Sequence, residues 1–237
     1  MIGVIGGMGP LATVDFMQKV IEACGAADDA DQVPMIVSCD PRIAGRPAAI
    51  LHGGVSPLPA LRAIRDRLVD AGATALVMPC NTAHHWHAEL AADCALPFPS
   101  IVEAGCDATA AGAAPGTRIG VLATRATLQA RLYDAGLAAR GLVGVAPNDD
   151  ELERWLLPCI AHVKAGRIAP AAALLAQVLR ALAQRGAERM LLACTELPIA
   201  LAASGPPPGL ICIDTNLALA RVTVALWQRQ AGDRATG

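Results

Sequence analysis

The sequence predicts an α/β fold of two similar halves, each built on a parallel sheet. Three observations predict it. Short apolar runs alternate with longer amphipathic segments, the pattern of βαβ units. The strand-like runs are continuously apolar, as in strands covered on both faces. One segment recurs: GATALVMPCN (Gly72–Asn81) aligns without a gap on GAERMLLACT (Gly186–Thr195), which places Cys194 114 residues after Cys80.

The elements follow in order. Ile2–Ile5 is a strand, and Pro10–Ala23 a helix whose proline suits a first turn. Val33–Cys39 is the next strand. In the helix Pro57–Ala71, Leu58, Leu61, Ile64 and Leu68 recur at helical spacing. The strand Ala75–Met78 leads to Cys80, and Ala83–Ala92 is helical. Pro97–Val102 reads as a strand feeding directly onward, so no linker is expected there. IGVLAT (Ile119–Thr124) echoes IGVIGG (Ile2–Gly7), and its strand spans Ile119–Leu122. A helix at Ala126–Ala139, a strand at Val143–Ala146 and a helix at Asp149–Val163 follow. In the helix Ala169–Arg185, Leu175, Val178 and Leu182 fall on Leu61, Ile64 and Leu68 of the first half; Leu174 shares the spacing. The strand Arg189–Ala193 leads to Cys194. CIDTN (Cys212–Asn216) weakly echoes PSIVEA (Pro99–Ala104), and Leu217–Gln230 is helical. Residues 1–98 form one expected domain and 99–213 a second. The C-terminal helix, 214–237, is expected to pack back on the first, and Gly232–Gly237 to fray.

Composition narrows the functions. The 237 residues suffice for two small α/β units. A net charge of −2 offers no basic face, so neither a nucleic acid nor a membrane surface is an expected partner. At 3% aromatic residues, base-stacking platforms are scarce. The 54% apolar content is largely alanine, without the roughly 20 uninterrupted apolar residues of a membrane span. Met190–Ile213 comes nearest, and Glu196, Gly205 and Pro206-Pro207-Pro208 interrupt it. MIGVIGGMGP lacks a basic leader, and a cytoplasmic location is expected. The eight cysteines contain no C-x-x-C pair, which argues against a zinc ribbon or thioredoxin motif. Six are expected to be packing residues.

Cys80 and Cys194 stand apart. Each follows an apolar strand, at the end where α/β sites lie. Each precedes polar residues that open a helix, Asn81-Thr82 and Thr195-Glu196. Helix-start amides favour thiolate, so lowered pKa values are expected. Two thiols facing one cleft would supply a base on one face of a stereocentre and an acid on the other. Thr82, Thr124, Thr127 and Thr195 offer hydroxyls to a developing carbanion. Glu196 either tunes Cys194 or completes a helix start.

These residues carry a family resemblance. GVIGGMGPLATVDF, SCDPRIAGRPAAIL, VMPCNTAHHW, IGVLAT and LLACTELP together resemble the aspartate/glutamate racemase family, which is independent of pyridoxal phosphate, and in particular its aspartate (amino-acid) racemase branch. The blocks run from Gly3 to Asp214. The resemblance implies two pseudo-symmetric flavodoxin-like domains with the active site in the cleft between them, a homodimer, an amino-acid substrate and no cofactor. It implies a two-base mechanism, with Cys194 deprotonating the L-enantiomer and Cys80 the D-enantiomer. It places Met8 and Gly9 at the cleft, Arg46 on the substrate's side-chain carboxylate, and Lys164 at the same end. Asn81, Thr82, Thr124 and Thr195 would hold the α-carboxylate and amino group. The sequence departs at Ala44-Gly45, where the family often has Pro-Asp, and at Arg125-Ala126, where a glycine is frequent second. Arg125 would add a positive charge near the cleft.

Rival readings remain. Gly7-Met8-Gly9-Pro10-Leu11-Ala12, with Asp40 after the second strand, matches a dinucleotide fingerprint. His84, His85 and His87 resemble a metal cluster, but no nearby residue completes it, and no metal is expected. A cysteine hydrolase would use Cys80 with His84 and leave Cys194 without a role. A broader-specificity amino-acid racemase, or a cis–trans isomerase of the same superfamily, would use a related site.

Overall fold

The computed structural model describes residues 1–235. Strand β1 (Ile2–Gly6) is buried along its whole length. Helix α1 (Pro10–Cys24) follows, with its proline in the first turn and Gly25 closing it at φ +61°. Next come β2 (Met35–Cys39), α2 (Arg46–His52), α3 (Leu58–Asp70) and β3 (Ala75–Val77). A 3-10 turn (Thr82–Trp86) leads into α4 (His87–Ala92) and α5 (Ile101–Ala110). The second half begins with β4 (Arg118–Ala123), α6 (Arg125–Gln129), α7 (Asp134–Ala139) and β5 (Val143–Val145). Then α8 (Asp149–Glu151) runs through a π turn (Leu152–Leu156) into α9 (Leu157–Lys164), before α10 (Ile168–Gln184) and β6 (Arg189–Ala193). The chain continues through α11 (Leu197–Ser204), β7 (Ile211–Asp214) and α12 (Thr215–Ala235).

The strands form two parallel sheets, ordered β2-β1-β3 and β5-β4-β6-β7. Val4 sits between Val37 and Val77, and Val121 opposite Leu191, so apolar side chains run through both ladders. In each sheet the first strand lies between its two successors. Such an order makes a switch point, and the crevice beyond the strands' carboxyl ends becomes the natural site. Helix periodicity explains the cover. Leu61, Ile64 and Leu68 of α3 pack with Ile5 and Leu76, and Leu175, Val178 and Leu182 of α10 with Leu122 and Leu192. Each such leucine contributes roughly 1.5–3 kcal/mol by leaving water.

Several elements differ from the sequence expectation. Pro97–Val102 is not a strand: residues 97–100 are irregular, and Ser100 caps α5 by accepting from the amides of Val102 (3.1 Å) and Glu103 (3.4 Å). The Pro97 carbonyl still accepts from Leu76 N–H (2.9 Å), at the place where β6 meets β7 in the second half. Pro97 and Pro99 lack the amides that would extend that ladder. The expected helix Ala126–Ala139 is broken in two, with Arg131 left-handed at φ 54° between α6 and α7. The expected helix Ala83–Ala92 starts as the 3-10 turn. The sequence pattern does not single out helices α2, α5 and α11 or strand β7. Of the six cysteines expected to be packed, Cys106 and Cys159 are buried and Cys24, Cys94 and Cys212 partly so, but Cys39 is exposed at the end of β2.

Helix α5 packs on α7, β6 and β7, and α12 lies on α1 and α5. Asn216 ties α12 to α1 by donating to the Ala12 carbonyl (3.1 Å) and to Asp15 (2.7 Å). Helix α12 continues past Gly232 to Ala235; residues 236–237 of the tail expected to fray lie outside the described residues. Among the described residues no helix is long and apolar enough to cross a membrane.

Candidate active site

Cys80 and Cys194 follow β3 and β6, and both line one small cavity. Its wall also contains Met8, Arg46, Asn81, Thr82, Thr124, Lys164, Thr195 and Glu196, residues from both halves of the chain. The cavity measures about 20 Å³, enough for roughly one water molecule. It adjoins an outer chamber of about 220 Å³, which shares Arg46, Lys164 and Glu196. Gly7, Gly9, Pro10, Leu11, Ala12 and Pro41 complete the chamber. Of the residues expected at the site, Gly9 therefore faces the outer chamber, while Thr127 and His84 lie behind the cavity wall.

The electrostatics correct one expectation. Both thiols are pushed up, not down, because the sulfurs are buried. Burial outweighs the backbone amides of Ala83 at Cys80 and of Glu196 at Cys194, which pull the other way. The two differ in degree. Arg46 and Lys164 offset the rise at Cys80, whereas at Cys194 Glu196 adds to burial and the thiol stands well above its ordinary value. The thiol of Cys194 donates to Glu196 Oε2 at 3.1 Å, and Glu196 Oε1 lies 4.0 Å from Lys164 Nζ. Arg46 Nη1 donates to the carbonyls of Ile43 and Ala44 (3.2 Å each). Among the described residues no carboxylate forms an ion pair with it. Cys106 and Cys159 are held up to about 12 and Cys212 to about 11 by burial, which leaves them as packing groups.

Neighbouring hydrogen bonds hold the cysteine loops in place. His84 Nδ1 lies 2.8 Å from the Cys80 carbonyl, and Nε2 accepts from Ile101 N–H at 3.0 Å. That pattern assigns the proton to Nδ1. Burial lowers the His84 pKa to about 3, so the ring is a neutral latch between the Cys80 loop and α5. With both nitrogens committed to backbone, it is not placed as a base for the thiol, which removes the hydrolase geometry. Thr82, Thr124 and Thr127 join their hydroxyls in a ring of 2.9–3.1 Å contacts across the two halves. Asn81 donates to Thr215 (3.1 Å) and accepts from Tyr133. Tyr133 and Thr215 were missed in the sequence. Each lies far along the chain from Asn81, and the only signal was that Tyr133 is the single tyrosine.

The remaining motifs have structural occupations. Gly7 has φ +90°, and a Cβ there would lie 2.5 Å from the backbone of Asp40; its amide donates to Thr13 Oγ1 (2.9 Å). This glycine is demanded by packing. The carboxylate of Asp40 is taken by Arg42 (2.9 Å). His84 and His87 stack at 4.9 Å, and His87 Nε2 meets the Phe98 carbonyl at 2.9 Å. Arg125, expected to charge the cleft, turns to Asp149 (2.8 Å) and Glu153 (2.7 Å) and does not line the cavity.

Comparison with known proteins places the chain in a family and a fold. The model of the Asp/Glu/hydantoin racemase family matches residues 5–223. The broad specificity amino-acid racemase RacX of Bacillus subtilis is 29% identical over 240 residues, covering 96% of this chain and 98% of that protein. The Picrophilus torridus aspartate racemase superposes with a TM-score of 0.81 at 28% identity, over 94% of this chain and 93% of that one. An aspartate racemase homologue from Pyrococcus horikoshii shares the fold, with a TM-score of 0.74 at 23% identity over 96% and 98% of the two chains.

Proposed function

Because the chain belongs to the Asp/Glu/hydantoin racemase family and is an isomerase of the racemase type, we propose that it inverts the Cα of acidic amino acids, aspartate foremost, with Cys80 and Cys194 as paired base and acid. One thiolate removes the Cα proton, and the opposite thiol delivers its own proton to the other face. The pair carries one proton before and after. Running backwards, the roles exchange, and no cofactor is called for.

The observation that carries this reading is the small cavity lined by both strand-end thiols and by Arg46, a cation with no carboxylate partner among the described residues. Burial raises both thiols, which makes either thiolate a stronger base toward a weakly acidic Cα–H. The Thr195 hydroxyl and the cations at the cavity would favour the carbanion as it forms. Arg46 would hold the side-chain carboxylate in a bidentate fork, with Lys164 at the same end. The inner cavity is too small for an amino acid, so entry requires the walls to part toward the outer chamber. That chamber has an apolar side formed by Pro10, Leu11, Ala12 and Pro41, which favours a second reading, a racemase accepting neutral side chains as well. A homodimer in the cytoplasm remains our expectation from the family.

Proton exchange in D2O tests the mechanism. Cys80→Ala and Cys194→Ala should each lose racemisation, while each retains exchange of one enantiomer only. Wild-type racemisation by both variants would refute the two-thiol mechanism.

A further inference from the structure

The repeat relates the two cysteines, but not their neighbours two positions on: Thr82 follows Cys80, and Glu196 follows Cys194. Thr82 sits in a neutral ring of hydroxyls. Glu196 is 4% exposed, accepts from the Cys194 sulfur at 3.1 Å, and faces Lys164 at 4.0 Å. From this asymmetry we propose that Glu196 is a positioning residue that keeps the resting proton on Cys194, with Lys164 as its charge balance, so that in the singly ionised resting form the thiolate is Cys80 and the thiol Cys194. The proposal rests on the two-thiol reading.

An ionised carboxylate can only accept, so the 3.1 Å contact needs the hydrogen on sulfur. If Cys194 lost it, thiolate and carboxylate would face each other at that distance in a buried site. Among the described residues Cys80 has no carboxylate among its hydrogen-bond contacts; burial still raises it, but Arg46, the Ala83 amide and Lys164 offset the rise. The charged and titratable groups around Glu196 are Cys194 after β6, Lys164 and Cys159 on α9, Cys80 after β3, and Arg46 opening α2.

Turnover from the resting form leaves Cys80 as thiol and Cys194 as thiolate. The resting form returns when Cys80 releases its proton to solvent and Cys194 takes one up. One enantiomer therefore meets the abundant form and the other the scarce one. The equilibrium constant of racemisation is unity, so the imbalance appears in kcat and KM separately while kcat/KM stays equal in the two directions.

The test needs no substrate. The free protein is alkylated with iodoacetamide from pH 7 to 10, and modification of Cys80 and Cys194 is followed by peptide mass spectrometry. Glu196→Gln should lower the pH midpoint of Cys194. Each unit of lowering gives about tenfold more thiolate offset by about threefold lower nucleophilicity, hence about three- to fourfold faster alkylation. Lys164→Met should act in the opposite direction and slow Cys194. Cys80 should move the same way as Cys194, by less. Opposite shifts at Cys194 support the proposal, because loosened packing would speed both variants. An unchanged or slowed Cys194 in Glu196→Gln, or acceleration in both variants, overturns it. If Glu196→Gln does not fold, Lys164→Met decides: slowing supports, and no change or acceleration overturns. Failure of the D2O exchange experiment would strike the two-thiol reading and leave these labelling results intact.

Discussion

Replacing Arg46 by glutamine removes a guanidinium that lines both the thiol cavity and the outer chamber, while keeping a side chain able to reach the Ile43 and Ala44 carbonyls. Two effects should follow. Arg46 favours the Cys80 thiolate, so its loss raises that thiol further and slows every substrate alike. It also removes the proposed partner of a substrate side-chain carboxylate. A hydrogen bond to a charged group is worth about 1.5–3 kcal/mol. That loss corresponds to about 10- to 150-fold in kcat/KM, and it falls on acidic substrates alone. The informative quantity is therefore a ratio: kcat/KM for aspartate over that for a neutral amino acid the wild type turns over, in wild type and variant. Initial rates from chiral chromatography supply it, and the common effect on Cys80 cancels. A ratio within about twofold of wild type would refute the role of Arg46, whatever the absolute rates did.

Two further predictions concern the scaffold. His84 remains neutral in the folded chain until about pH 3 but protonates near 6.5 once unfolded. Its stabilisation is fully present above pH 6.5 and is lost as the pH falls toward 3, at up to about 1.4 kcal/mol per unit. In His84→Gln, the drop in urea-unfolding stability between pH 7 and pH 5 should shrink by about 2 kcal/mol; an undiminished drop would show that His84 is not the group responsible. The second compares two left-handed glycines. Gly25→Ala, with open space around its Cβ, should cost about 1–2 kcal/mol. Gly7→Ala adds a 2.5 Å clash with the Asp40 backbone and should cost about 1–3 kcal/mol more, seen as a lower urea midpoint. Equal losses would mean that the close approach at Gly7 is unimportant.

Much of the architecture was legible because it depends on local pattern. Leu61, Ile64 and Leu68, and their counterparts in α10, announce helices by spacing alone. The repeat of strand and cysteine by itself brings Cys80 and Cys194 to matching strand ends. What escaped depends on tertiary context. The residues Pro97–Val102 are apolar enough for a strand, yet two prolines deny them a ladder and Ser100 recruits the next residues into α5. The break at Arg131 arises within a segment of helical periodicity. The thiol pKa values went the wrong way because burial, which no residue type declares, outweighs a helix-start amide. Tyr133 reaches Asn81 across 52 residues of chain, a distance over which periodicity carries no information.

The placement of α12 affects the order in which this chain becomes a folded object during synthesis. Helix α1 turns Ala12, Phe16 and Val20 inward, and its cover is drawn from residues 215–235. The contact between Asn216 and Ala12 spans 204 residues. The ribosome therefore releases α1 long before its cover exists. Domains generally fold as units once they emerge, but this first half must wait with that apolar face open until nearly all of the protein has been made. The earliest helix and the last one are completed together, and a nascent chain halted within α11 would still present the α1 face bare.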